Sequence, residues 1–411
     1  MEIRIDSIEA AIAQIARGGM VVVVDDPDRE NEGDLVMAAD RITAEAVNFM
    51  ASEGRGLICA AMREQRLDQL RIPAMVECSG DHFGTAFRVP VDSADRVSTG
   101  ISAPDRARTI AALAEPGSGP EDFVRPGHVF PLAARDDGVL VRAGHTEASV
   151  DLCALAGLRE AGVICEIAAD DGEMARLPDL RIFADRHGLP LVTIADLIAY
   201  RRSRTRLIQR VASAPLPVGG ARFQATGYRD LLDGREHVAL TLGDVGAAAA
   251  PLVRVHSECL TGDVLGSERC DCGDQLRRAT EKIAAEGVGA IVYLRGHEGR
   301  GIGLLEKLRA YEMQDRGLDT VEANLALGHP SDRRDYGIGM QILCDLGIAE
   351  MRLLTNNPAK RAGLEGHGLK VRGCVPLLTP VNRDNVTYLR TKEDRLGHTL
   401  DSIAHPHEAL L

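Results

Sequence analysis

Residues 8–34 read IEAAIAQIARGGMVVVVDDPDRENEGD, and their order of elements recurs through the whole chain. Ile8, Ile12 and Ile15 fall at helical spacing, Gly18-Gly19 interrupts them, and Met20–Val24 is an apolar run of strand length. Further apolar strands are expected at Gly56–Ala61, His128–Leu132 and Gly162–Ile167, with helices between them. In the second half, strands are expected at Val238–Leu242, Leu252–His256, Gly289–Leu294 and Arg352–Thr355, and helices at about Gln275–Glu286 and Leu304–Gln314. Strand and helix in alternation imply an α/β fold class: an α+β N-terminal domain and an α/β sandwich C-terminal domain in tandem, without an internal repeat.

Two domains also follow from the length of 411 residues, beyond the roughly 250–300 at which single cores stop growing. A helix near Leu197 runs into Arg201-Arg202-Ser203-Arg204-Thr205-Arg206, and the small, Pro- and Gly-rich ASAPLPVGG of Ala212–Gly220 follows. The boundary is placed there, near residues 200–215, giving domains 1–205 and 206–411. The basic run reads as a solvated helix end or linker.

Composition excludes several classes of function. A net charge of −13, no Trp, six Tyr and seven Phe leave little with which to neutralise a phosphate backbone or stack bases, so no nucleic-acid partner is expected. Apolar strings such as Met20–Val24 and Ala290–Leu294 fall far short of a membrane span, and the N-terminus has no apolar leader region. A cytoplasmic protein is expected. Nine cysteines form an odd count and do not look like a disulfide framework. Cys59, Cys153, Cys165 and Cys344 read as small buried hydrophobes, which leaves others for metal.

Asp25-Asp26-Pro27-Asp28-Arg29-Glu30-Asn31-Glu32-Gly33-Asp34 directly follows the first strand. Counted as an EF-hand from Asp28, Gly33 falls at position 6, but position 12 is Ala39 where a bidentate Glu is required. A hard cation held by one or two carboxylates suits the loop better. Arg142-Ala143-Gly144-His145-Thr146-Glu147 offers a histidine ligand and an arginine, with Thr146 as N-cap of a helix whose N-terminus favours an anion.

With STGISAPDR (Ser98–Arg106), RPGHVFPL (Arg125–Leu132), RAGHTEASVDL and GVICEI, that loop resembles the 3,4-dihydroxy-2-butanone-4-phosphate synthase family over roughly residues 3–200. The resemblance implies conversion of ribulose 5-phosphate with loss of formate. It places Mg²⁺ or Mn²⁺ on Glu30 and His145. Arg29, Glu30, Asp34, Arg142, Gly144, His145, Thr146 and Glu166 would contact the sugar phosphate, and His128 and Glu166 would be needed for activity. It also implies a homodimer with sites near the interface.

Cys259, Cys270 and Cys272 lie among Arg, Asp, Glu and Gly, which do not make a core. The spacing C-x10-C-x-C has no second pair, so a closed site would need a further ligand such as His256, and three thiolates otherwise leave a position open. A helix starting near Asp274 favours the thiolate forms of Cys270 and Cys272. Downstream, Gly296-His297-Glu298-Gly299-Arg300-Gly301-Ile302-Gly303 is not a dinucleotide fingerprint, because the third glycine would fall on Leu304. It remains a strand-to-helix turn able to approach phosphates. In the next helix Leu304, Leu308 and Tyr311 share a face, with Tyr311 reading as core whose hydroxyl reaches the rim.

RVHSECLTGDVLGSERCDCGDQL, GHEGRGIGL, DTVEANLALG, SDRRDYGIG and LLTNNPAKR resemble GTP cyclohydrolase II over roughly residues 205–400. The resemblance implies Zn²⁺ on Cys259, Cys270 and Cys272, and Mg²⁺ accompanying GTP. GTP contacts would fall at Arg254, His256, Ser257, Glu258, Gln275, Glu298, Gly299, Arg300, Thr320, Thr355 and Lys360. Tyr311 joins the catalytic candidates, with Asp332 as proton acceptor and Arg334 as nucleophile towards the α-phosphorus. The last role is chemically awkward, since a guanidinium offers no free lone pair. His297 and Met340 depart from the family pattern without touching an implied ligand. Both families in this order resemble the bifunctional enzymes of riboflavin biosynthesis, acting on the small molecules ribulose 5-phosphate and GTP. The alternatives are one active domain with the other a scaffold, or a zinc-stabilised nucleotide-binding regulatory module.

Overall fold

Four valines in a row cannot leave one strand face in water, and β1 (Val21–Val24) is buried at every residue. So is β2 (Gly33–Ala38), its antiparallel neighbour. The computed structural model describes residues 3–76, 80, 83–95, 98–329, 332, 334, 336–357 and 369–396. It divides into two units, Met1–Arg204 and Thr205–Leu411. In the first, β1, β2, β3 (Cys59–Arg63), β4 (Val91–Ser93), β5 (Phe123–Ala134), β6 (Ala161–Glu166) and β7 (Leu191–Thr193) form a mixed sheet ordered β4-β5-β3-β6-β2-β1-β7.

Successive side chains of a strand point to opposite faces, and each face here has its own core. Val22, Val24, Leu35 and Met37 pack with Val47, Leu67, Ile110 and Leu180, from α2 (Ala44–Phe49), α3 (Glu64–Gln69), α4 (Ala103–Ala114) and α6 (Leu177–His187). Val21, Val23, Val36 and Ala38 meet Ile15, Val150 and Leu197, from α1 (Ile8–Ala16), α5 (His145–Leu155) and α7 (Ile194–Arg204). Burial on both faces makes these strands unbroken apolar runs. The acidic loop is the connection from β1 to β2, and Asp34 on β2 pairs with Glu166 on β6. Asp34 and Glu166 therefore stand side by side where the loop enters the sheet.

The second unit has a seven-stranded sheet: β8 (Ile208–Val218), β9 (Ala221–Asp230), β10 (Glu236–Leu242), β11 (Leu252–Ser257), β12 (Gly289–Leu294), β13 (Glu350–Leu354) and β14 (Lys370–Val375), ordered β14-β13-β11-β12-β10-β9-β8. Its helices are α8 (Cys272–Glu286), α9 (Leu304–Gln314), α10 (Thr320–Ala326), α11 (Gly337–Asp345) and α12 (Val386–Leu396). Among the described residues, no helix is long and apolar enough to cross a membrane.

Several expectations are corrected. ASAPLPVGG, read as the small-residue stretch at the domain boundary, is most of the outer strand β8 and its turn. Pro215 and Pro217 are tolerated because an edge strand has one unpaired side. Gly219 and Gly220, both at positive φ (57° and 79°), close the two-residue turn to β9. Arg201 is no solvated residue either: it donates to the buried Asp151 at 2.7 Å. Thr146 lies inside the first turn of α5, whose N-cap is Gly144. Cys59, Cys153 and Cys165 are buried, but Cys344 is exposed. In α9 the buried positions are Lys307 and Ala310, while Leu305 and Leu308 face solvent. That helix borders a polar cavity, so its apolar periodicity does not mark its inner face.

Candidate active sites

Asp25 organises the acidic loop. Its buried carboxylate accepts hydrogen bonds from the backbone N–H groups of Glu30 (3.1 Å) and Glu32 (2.8 Å) and from Arg29 Nη1 (3.0 Å). The loop thereby folds back over the end of β1 and presents Glu30 towards His145 at the start of α5. His145 Nδ1 is 3.5 Å from Glu30 Oε2 and 4.0 Å from Asp34 Oδ1. Donor atoms of Asp25, Glu30 and His145 all lie within 4.8 Å of one another.

The electrostatics fit a cation there. Burial pushes the Asp34 carboxyl up to about 7, aided by the nearby Glu166 and Glu30 charges. Burial opposes protonation of His145, but Asp34 and Glu30 hold its imidazole protonated up to about 9. A proton is standing where a divalent ion would relieve the same repulsion. His145 Nε2 and Asp34 Oδ1 are buried with no hydrogen-bond partner among the described residues, so both retain unused bonding capacity.

The cavity around this cluster, about 530 Å³, is lined by Arg29, Glu30, Asp34, Arg142, His145, Thr146 and Glu166 together with Cys59, Thr85 and Phe87. Arg142 is fixed by Glu147 (2.6 Å), Thr85 Oγ1 (3.0 Å) and the Phe83 carbonyl (3.1 Å). Glu166 Oε2 accepts the Leu57 N–H at 2.7 Å. Gly144 does not line the cavity but leaves room for Arg142, whose Nη1 would stand 2.4 Å from a Cβ there. His128 is not brought to this cavity. It sits mid-strand on β5, its Nδ1 2.7 Å from Asp92 Oδ2.

In the second unit β11 delivers Arg254, His256 and Ser257, and a tight turn over Leu260–Val264 follows Cys259. Cys270 and Cys272 reach the same point from the start of α8, with Cys259 Sγ 3.7 Å from Cys270 Sγ. A Cβ on Gly262 would lie 2.8 Å from Cys270 Sγ, so only glycine lets the turn cradle the sulfurs. The three thiols cannot all ionise unaided. Hydrogen bonds from Cys270 and Cys272, with the Lys307 ammonium, depress the Cys259 thiol, and that thiolate pushes Cys270 up to about 11. One divalent cation would stabilise all three thiolates, which fits zinc.

His256 does not close the cluster. Its Nε2 contacts both oxygens of Asp263 at 3.1 Å, and Asp263 also accepts from Tyr293 Oη (2.8 Å) and the Cys259 N–H (3.0 Å). Lys307 donates to Cys259 Sγ (3.1 Å), Thr261 Oγ1 (2.8 Å) and Glu298 Oε1 (2.5 Å). Glu298 uses its other oxygen on the Leu260 N–H (2.6 Å), so it braces the turn. Tyr311 is not core: it lines the cavity, its hydroxyl 3.4 Å from Thr261 Oγ1.

This second cavity is about 1090 Å³. Arg254, His256, Ser257, Glu258, Gln275, Gly299, Arg300, Thr320 and Thr355 line it, and so do Arg334, Tyr388 and Lys392. Arg254 spans Gln275 Oε1 and the Leu354 carbonyl, with Nε left unbonded in the interior among the described residues. Gly299, Arg300 and Gly301 all take positive φ (60°, 64° and 90°), a left-handed turn that Gly makes cheaply and that swings Arg300 to the cavity wall. Arg334 is paired with Asp332 through both carboxylate oxygens, and although burial works against it, this pairing holds the guanidinium protonated. Lys360 lies outside the described residues.

Sequence reasoning passed over Asp25, Asp263, Lys307, Tyr388 and Lys392. Asp25 stood within the acidic stretch, but nothing separated it from its neighbours. Lys307 had one available signal, a lysine on the inner side of a helix beside a cysteine cluster.

A family model described as 3,4-dihydroxy-2-butanone 4-phosphate synthase matches residues 9–200, and one described as GTP cyclohydrolase II matches residues 209–376. The riboflavin biosynthesis protein RibBA of Salinispora arenicola is 58% identical over 395 residues, covering 96% of this chain and 94% of its own. The RibBA protein of Rhodococcus jostii is 57% identical over 403 residues, covering 97% of each. Among solved structures, RibBX of A. baumannii, described as a two domain 3,4-dihydroxy-2-butanone 4-phosphate synthase, has a TM-score of 0.66 at 37% identity, covering 90% of this chain and 99% of its own.

Proposed function

The chain belongs to the family of bifunctional riboflavin-biosynthesis enzymes, a 3,4-dihydroxy-2-butanone-4-phosphate synthase joined to a GTP cyclohydrolase II, and from that premise we propose which residues carry the two reactions. The observation that carries the assignment is the pair of separate donor clusters, each opening into its own cavity beside arginines suited to phosphate.

In the first unit, Glu30 and His145 would hold Mg²⁺ or Mn²⁺, which when bound polarises the sugar's carbonyl and hydroxyl oxygens. Arg29 and Arg142 bind the phosphate, with the N–H groups at the start of α5 adding to them. Asp34 and Glu166 exchange protons at the carbons beside the carbonyl. His128 is proposed to act in a cavity of a second copy of the chain, since it does not line the cavity of its own unit and its Nδ1 is held by Asp92. A homodimer with shared sites follows. Mixing inactive His128→Ser and Glu30→Gln chains under conditions of subunit exchange should restore about a quarter of wild-type formate release from ribulose 5-phosphate, the share of intact sites in random dimers. No recovery would return His128 to its own subunit.

In the second unit, Cys259, Cys270 and Cys272 would hold Zn²⁺, a Lewis acid for the attack of water on the guanine ring. Gln275 and Arg254 orient the nucleotide, Arg300 binds its phosphates with the accompanying Mg²⁺, and the Tyr311 hydroxyl moves a proton beside the sulfur cluster. Arg334, held protonated by Asp332, stabilises charge on the α-phosphate and is not its nucleophile. Asp332, engaged through both oxygens, holds Arg334 in place more readily than it accepts a proton. Mass spectrometry of enzyme quenched during GTP turnover should therefore find no phosphoramidate at Arg334; an adduct there would reverse the assignment.

The cytoplasm is the proposed compartment, because its reducing conditions suit the eight described cysteines, all free, and the thiolate cluster above all. Formate measured from ribulose 5-phosphate and from GTP separately, with zinc counted per chain, tests the whole reading. One activity only would favour a scaffold role for the silent unit. RibBX, described by its synthase activity alone although it has two domains, gives that reading a reason to be tested.

A further inference from the structure

The chain beyond β14 returns to the GTP cavity, although it lies outside the residues 209–376 matched to GTP cyclohydrolase II. Asn356 and Leu377 exchange two hydrogen bonds at 2.8 Å, tying the returning segment to the loop that carries Thr355. Asn385 accepts from the Asn382 N–H (2.9 Å) and donates to the Pro380 carbonyl (3.0 Å), which sets the start of α12. One face of that helix then enters the cavity wall. Leu389, Thr391 and Lys392 are buried, and Tyr388 lines the cavity.

Lys392 Nζ donates to Asp271 Oδ1 at 2.5 Å, and the two side chains are 9% and 0% exposed. Asp271 is the residue between Cys270 and Cys272 and the N-cap position of α8. Its other oxygen accepts from Gln275 Nε2 (2.6 Å) and Thr379 Oγ1 (3.4 Å). A fully buried carboxylate needs a countercharge, and here the countercharge comes from a helix more than one hundred residues downstream. Further along α12, Arg395 meets Asp319 (3.4 Å) and Glu322 (3.2 Å) at the start of α10, next to Thr320.

We infer that Lys392 is a positioning residue of the cyclohydrolase site, fixing through Asp271 the turn that presents Cys270 and Cys272, and that Tyr388 contacts the bound nucleotide. The inference rests on the zinc and GTP assignments above. The Lys392 ammonium bonds Asp271 and reaches the sulfurs only through it. It makes the C-terminal helix part of the metal site's outer support, a type of contact whose loss commonly costs about 10–100-fold in metal affinity.

The test uses the full chain, with formate from ribulose 5-phosphate as an internal control for folding of the first unit. Lys392→Met should release zinc to a competing chelator at least about tenfold more readily than wild type and alter the visible spectrum of the Co²⁺-substituted protein, while Lys392→Arg keeps both near wild type. Tyr388→Leu should raise KM for GTP about tenfold and leave zinc retention unchanged. Wild-type zinc retention and cobalt spectrum in Lys392→Met would overturn the role of Lys392, and an unchanged KM in Tyr388→Leu would overturn that of Tyr388. Should Lys392→Met not fold, Asp271→Asn combined with Lys392→Met removes the charge imbalance, and a wild-type cobalt spectrum there is equally fatal. Wild-type protein without zinc would instead sink the underlying metal assignment.

Discussion

Glu30→Gln should abolish formate release from ribulose 5-phosphate, by on the order of 10³-fold, and leave release from GTP at the wild-type rate. Glutamine keeps the size and one carbonyl oxygen of the side chain, so the loop should still close over Asp25, whose bonds run to the backbone N–H groups of Glu30 and Glu32. The change takes away the charge that faces His145 at 3.5 Å. With the proposed metal bound, that charge is one of few protein ligands, and substrate oxygens cannot be polarised without the ion. Without metal, Glu30 and Asp34 are the groups that hold His145 protonated, so the variant also changes the local protonation state. Substantial residual activity, or a loss that high Mg²⁺ or Mn²⁺ fully reverses, would show that Glu30 is not a required ligand. Loss of both activities would mean damage beyond the site.

Cys270→Ser should reverse the pattern: formate from ribulose 5-phosphate persists, while zinc falls from about one per chain to near zero and formate from GTP disappears. Serine is nearly isosteric, and Cys270 is only partly buried, so the fold has little reason to fail. What fails is the donor set, because a hydroxyl is a far poorer zinc ligand than a thiolate. Two remaining sulfurs cannot hold an ion that already has an open position. Retention of zinc in the variant would mean that the cluster has a ligand other than these three cysteines.

The strands buried on both faces were legible in the sequence, because such a strand is a continuous apolar run. Gly289–Leu294 is the clearest case, matching β12 residue for residue. β8 was missed for the complementary reason. It is an edge strand and its residues are mostly exposed, so it carries prolines and small residues that read as a boundary between domains. Motif-bearing side chains were legible because their spacing is local: Cys270 and Cys272 stand at one helix start, and Gly299 to Gly301 make one turn. Partners fixed by long-range return of the chain were not. Nothing near Lys392 in sequence points to Asp271, and nothing around His128 indicates that it stands apart from the residues lining the cavity of its own unit.

The inward stripe of α9 bears on how this enzyme could be engineered. Lys307 and Glu298 form a buried ion pair, and such pairs can often be replaced by apolar residues of similar volume with no loss, or with a gain, in stability. A search for thermostable variants, judged only by melting temperature, would therefore be drawn to replacing Lys307 and Glu298 together by apolar residues, since removing Lys307 alone strands the buried Glu298 charge, and would select proteins that are tougher and silent towards GTP. Activity needs to be screened alongside heat resistance at this helix, because selection for one works against the other here.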